Sequence, residues 1–100
     1  MRYESGGIPK VFEWTTDPTS NTIRTYGFGM PSNNLRIHNQ SAAEMYVAFG
    51  ADAPASITAE GWIQIIGGEV LELPIQAGKV HAFSLGVSQP FQVTVLQRRG

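Results

Sequence analysis

The sequence predicts one all-β domain, a small β-sandwich or flattened barrel, jelly-roll-like, of about seven or eight antiparallel strands. Three observations lead there. Short runs with one apolar parity recur at roughly 8–12-residue spacing, which is the spacing of sandwich and barrel strands. The intervals between them are filled by Gly, Pro, Asn and Ser, the residues of turns. No stretch carries the 3.6-residue apolar period of an amphipathic helix.

Residues 1–9 show no period. Gly6-Gly7 reads as a flexible joint and Pro9 holds its predecessor extended, so this segment is expected to be an arm. Lys10 to Thr16 alternates, with Phe12 and Trp14 facing inward. Asp17 to Asn21 is turn chemistry, and Thr22 to Phe28 follows as a strand with Ile23, Tyr26 and Phe28 as its apolar content. Gly29 to Asn33 is a loop. The stretch 34–50 is expected to be the central hairpin, with Leu35 and Ile37 inward on one arm and Met45, Val47 and Phe49 on the other. Asn39 and Ser41, which hydrogen-bond their own backbone readily, close its link.

Residues 50–61 form a long loop of small residues in which Ala59-Glu60-Gly61 has room for one helical turn. Trp62 to Ile66 is almost continuously apolar and reads as a strand buried on both faces or at an interface. Gly67-Gly68 suits a tight turn with positive φ at both positions. Glu69 to Leu73 returns with Leu71 and Leu73 on one face. After a turn at 74–78, Lys79 to Leu85 sets Val80 and Ala82 against His81, Phe83 and Leu85. Phe91 to Gln97 alternates most cleanly, with Phe91, Val93 and Val95 inward. The domain is thus expected over 10–97, with an arm at 1–9 and a tail at 98–100.

The chain has 100 residues, 42% of them hydrophobic and 15% charged. The charged share is below the roughly 25% of average domains, which suits a surface packed against neighbours and equally a monomer rich in Ser, Thr, Asn and Gln. A net charge of -1 gives no general pull towards nucleic acid or an anionic membrane, so neither is an expected partner. Without cysteine there is no disulfide and no thiolate metal site. No apolar run approaches the ~18 residues of a membrane span and no signal-like leader is visible, so a soluble, unprocessed chain is expected.

Nothing in the sequence assembles a reaction. His38 and His81 lie on different strands with no acidic residue close by in sequence, and read as strand residues at a polar face or subunit contact. Glu69 and Glu72 point to opposite faces of a strand and read as solvated edge charges that oppose aggregation. No serine sits in a Gly-x-Ser-x-Gly elbow, and Gly27-Phe-Gly29 lacks the strand–loop–helix setting of a phosphate site. No catalytic residue, metal or cofactor is therefore expected. Trp14 and Trp62 serve as core fillers or, alternatively, as an exposed sugar platform or interface. Arg2, Tyr3, Trp62, Arg98 and Arg99 are the candidate interface residues, Tyr and Arg being the types that anchor protein contacts.

One resemblance bears on function. Arg36-Ile-His-Asn39, Ser41 and Tyr46-Val-Ala-Phe-Gly50, then Ile75-Gln-Ala-Gly-Lys-Val80 and Phe91-Gln-Val-Thr-Val95, resemble a pattern in small bacteriophage structural proteins. The similarity spans about residues 34 to 97. It implies a virion component: first a capsid decoration (cement) protein that binds and stabilises the lattice of the major capsid protein, as a homotrimer. Such a protein sits on the capsid surface and passes through the host cytoplasm during assembly. A head–tail connector, tail or fibre-base protein is the alternative, and a carbohydrate-binding β-sandwich module is the rival from another class.

Overall fold

The computed structural model describes residues 10–29, 32 and 34–96. They form eight strands: β1 (Lys10–Thr15), β2 (Arg24–Gly27), β3 (Asn34–Asn39), β4 (Met45–Phe49), β5 (Ile63–Ile65), β6 (Val70–Leu73), β7 (Lys79–Ser84) and β8 (Pro90–Leu96). Two four-stranded sheets result, in the orders β1-β8-β3-β6 and β2-β7-β4-β5, and all pairings are antiparallel. Every connection crosses between the sheets except β4 to β5. That double-sheet arrangement of eight strands is the jelly roll.

Alternation sets the layers. Phe12, Val93, Ile37 and Leu71 line up across the β1 sheet and face inward. Met45, Val47, Ile65, Val80 and Ala82 meet them from the β2 sheet. Burial of each large aliphatic side chain contributes about 1.5–3 kcal/mol, and a one-residue slip would turn a whole row to solvent. At the β1/β2 side, Trp14 stacks on Phe12 with ring centroids 4.8 Å apart and lies 5.0 Å from Tyr26. The Tyr26 hydroxyl donates to the Thr15 carbonyl at 2.6 Å, tying the two sheets together there.

The stretch 34–50 is not a hairpin. β3 and β4 belong to different sheets, and residues 40–44 turn the chain through a corner between them. Asn39 holds that corner. It is 0% exposed; its Nδ2 donates to the Ala43 and Ile65 carbonyls at 2.8 and 2.9 Å, and its Oδ1 accepts from the Ser41 N–H and hydroxyl at 3.0 and 2.8 Å. The Gly68 N–H donates to the Asn39 carbonyl and the Asn39 N–H to that of Glu69, so the β5–β6 turn docks on the same corner.

Two further expectations change. The strand at 62–66 is only Ile63–Ile65, an edge strand with Ile65 buried and Ile66 53% exposed, because β4 flanks it on one side alone. In the β5–β6 turn only Gly68 has positive φ, at 81°. Gly67 is required for space, since a Cβ there would stand 2.8 Å from the Ala42 carbonyl oxygen. β6 is the other edge of the β1 sheet, and Glu72 on it is exposed, in keeping with an edge charge.

Candidate interaction surfaces

Register places the loops 16–23, 40–44, 66–69 and 85–89 together at one end of the sandwich. They are bound to one another through the backbone. Asn21 N–H donates to Ser84 O, Ser88 N–H to Asp17 O, Leu85 N–H to Glu44 O and Thr16 N–H to Gln89 O. Side chains add to this: the Ser84 hydroxyl donates to Glu44 O at 2.7 Å, and Gln89 N–H donates to the Thr16 hydroxyl at 2.9 Å. On this braced end sit Ile66, Leu85 and Val87, each more than half exposed. Ile66 and Leu85 follow strands on either side of β4, so their backbones stand roughly 10 Å apart, two inter-strand spacings. Asp17, Glu44 and Glu69 belong to the same loops. Asp17 pairs with Arg24 at 3.4 Å, and a Glu69 carboxylate oxygen accepts from the Ile66 N–H at 3.0 Å.

The outer face of the β2 sheet is closed over by the segment after β4. Trp62 meets Phe83 edge-on at 4.7 Å, and Tyr46 stacks on Phe83 at 4.9 Å. The Trp62 indole N–H donates to the Ser56 carbonyl at 3.0 Å. Partial burial, then the Glu44 carboxylate, push the Tyr46 phenol above its ordinary value. His81 is 1% exposed beneath this cover. Its Nε2 lies 3.0 Å from the Gly50 carbonyl, which only accepts, so Nε2 carries a hydrogen, and its Nδ1 is hydrogen-bonded with the Thr25 hydroxyl at 2.9 Å. His81 is thus a satisfied buried histidine, neither on a polar face nor at a subunit contact as the sequence suggested. His38 is half-buried on the outer face of β3.

The third surface is a cleft of about 390 Å³ lined by Glu13, Trp14 and Thr15 of β1, Arg24 and Tyr26 of β2, Gln40 and Pro90. Burial pushes the Tyr26 phenol up to about 12. The Trp14 ring, partly buried, packs among Phe12, Tyr26, Phe28 and Phe91.

Of the interface residues expected from sequence, Arg2, Tyr3, Arg98 and Arg99 lie outside the described residues, as do the arm 1–9 and the tail 98–100. Trp62 is half-buried in the cover over the β2 sheet, so its ring is engaged within the chain. The structure brings Ile66, Leu85 and Val87 to one end; Ile66 lies in the 62–66 run that the sequence offered as buried or at an interface, and sequence reasoning missed Leu85 and Val87. Their signal was present: each is next to or one residue from Gly67 or Gly86, in turns where a polar residue is usual. Among the described residues, no group of three or more His, Asp or Glu is placed to hold a metal ion.

No protein-family model matches the chain, and no curated protein sequence matches it. Among solved structures it is similar to the coat protein of tobacco streak virus, at 7% identity and a TM-score of 0.46, over 100% of this chain and 92% of that one.

Proposed function

We propose that this chain is a structural component of a bacteriophage virion, and in first place a decoration protein seated on the capsid lattice. Its jelly-roll strand order is shared by viral shell domains, lectins and cupins, so fold leaves several functions open. The observation that carries the choice is the four-loop end. A lectin or cupin site asks for polar groups converging in a hollow. Here three aliphatic side chains stand out on loops braced by backbone hydrogen bonds, which suits a broad contact with another protein surface. Loops already ordered before contact lose little conformational freedom on docking. The sequence resemblance over residues 34 to 97 points the same way.

Copy number per purified particle tests the reading. Hundreds of copies spread over the shell support decoration, and about six to twelve at one vertex move the protein to the connector or tail. Absence from the particle removes the virion reading. Within it, Leu85→Asp combined with Val87→Asp is expected to abolish shell binding while leaving the melting temperature unchanged, because neither side chain is buried.

A further inference from the structure

We infer that the free edge of β1 pairs with the β1 edge of a second copy, joining two β1 sheets into one continuous eight-stranded sheet across a two-fold axis. Thr16 N–H donates to Gln89 O, which fixes the phase of the β1–β8 ladder. Hydrogen-bonded pairs alternate along an antiparallel ladder, so Lys10, Phe12 and Trp14 direct their backbone groups at β8. Val11, Glu13 and Thr15 direct theirs outward. The Thr15 carbonyl is taken by the Tyr26 hydroxyl. That leaves the N–H groups of Val11, Glu13 and Thr15 and the carbonyls of Val11 and Glu13 without a partner among the described residues.

The other three edges are shorter: β2 and β6 have four residues and β5 has three, against six in β1. β1, the longest of the four, presents Val11, 52% exposed, between exposed Lys10 and Glu13.

A second copy of β1 fits this edge in one register. The outward-directed residues must face one another, so only pairings among odd-numbered positions are possible, and Glu13 against Thr15 fails because the Tyr26 hydroxyl already holds the Thr15 carbonyl. Glu13 against Glu13 of the other copy sets like charges opposite each other. Val11 against Val11 sets Glu13 opposite position 9, a proline with no N–H to give. Val11 against Glu13, and by symmetry Glu13 against Val11, makes two complete pairs with an axis at Phe12 and no like charges opposed. The contact is self-complementary, as a two-fold interface must be. It is a small contact, so the dimer is expected to be weak and concentration-dependent. A trimer requires a different, head-to-tail surface, and this edge does not supply one.

Sedimentation of the purified full chain between about 10 μM and 1 mM, a range that captures weak association, tests this apart from any virion role. The expected result is a monomer–dimer equilibrium in which amide exchange at Val11 and Glu13 slows as concentration rises. Glu13→Pro removes an N–H that points away from β8, so it is expected to leave the fold intact and shift the distribution to monomer. Four results overturn the inference. These are a monomer throughout, a trimer, a dimer that survives Glu13→Pro but is lost with Val87→Asp, and a dimer that appears only when residues 1–5 are deleted. The last would assign the edge to this chain's own N-terminal segment.

Discussion

Replacing Asn39 with Leu keeps the branching of the side chain, at a larger volume, and removes the polar contacts that this side chain makes at the β3–β4 corner. Four hydrogen bonds go: two from Nδ2 to the Ala43 and Ile65 carbonyls and two accepted by Oδ1 from Ser41. Each contributes a net ~0.5–1.5 kcal/mol, and a buried group left without a partner costs about 1–3 kcal/mol. Ser41 is only partly buried and regains water, so most of the loss falls on the Nδ2 side. The expected destabilisation is about 3 kcal/mol, a large share of the roughly 5–15 kcal/mol that holds a small domain. It should lower the melting temperature by roughly 12–24 °C at the ~4–8 °C per kcal/mol typical of this size. Urea titration followed by tryptophan fluorescence, alongside calorimetry, measures it. Asn39→Asp adds a sign. Burial and the two facing carbonyls raise the folded-state value of the new carboxyl above its ordinary value of about 3.9. Stability from such a group is fully present below the unfolded-state value and is lost as pH rises through the folded one. The Asn39→Asp deficit should therefore be largest at neutral pH and narrow towards pH ~4. A loss under about 1 kcal/mol for Asn39→Leu, or a deficit in Asn39→Asp that is flat with pH, would refute the idea that this side chain holds the corner.

Three further outcomes are expected. Gly67→Ala should cost about 1–3 kcal/mol because its Cβ meets the Ala42 and Ser41 backbone, and Gly68→Ala about 1–2 kcal/mol because of its positive φ; urea midpoints of the pair separate crowding from strain. His81→Ala should destabilise by about 2–4 kcal/mol, and the tryptophan emission should shift to the red as the cover carrying Trp62 loosens from the β2 sheet. Tyr26, raised from 10.0 to about 12, contributes stability that is full below pH 10 and lost as pH rises through its folded-state value. Between pH 10 and about 12 the native protein should therefore lose stability that Tyr26→Phe does not lose, read as a fall in the urea midpoint followed by circular dichroism; midpoints that fall in parallel would refute it.

Alternation made the inward sets legible where a strand keeps one face on the core. Phe91, Val93 and Val95 in β8, and Leu35 and Ile37 in β3, fall where their parity puts them. Parity is silent about which sheet a strand joins. Residues 34–49 therefore read as a hairpin, since two strands that face each other across a core show the same alternation as two that lie side by side. The distinguishing residue was Asn39, which shares the inward parity of Leu35 and Ile37; an amide on a buried face needs partners, and a corner supplies them. β7 shows the opposite case. Its outer residues, His81 and Phe83, are buried as well as its inner ones, because a loop distant in sequence folds over them. The run at 62–66 is not a strand buried on both faces for a related reason: Trp62 is drawn outward to Phe83, Ile65 goes to the core and Ile66 is exposed.

The placement of β8 has a consequence for how the protein comes to be made. It runs inside its sheet, between β1 and β3, and supplies Phe91, Val93 and Val95 to the core. Until it has been synthesised, β1 has no neighbour in its sheet and β3 only β6. Because successive strands mostly belong to opposite sheets, the emerging chain finds few local partners with which to start early, and long-range closure makes folding slow. The emerging chain should thus stay unfolded until β8 has been made and acquire structure in a single step after it, with its apolar strands open to chaperones until then. A polypeptide cut short before residue 90 would expose those same strands for good, so incomplete copies are marked for degradation by the architecture itself.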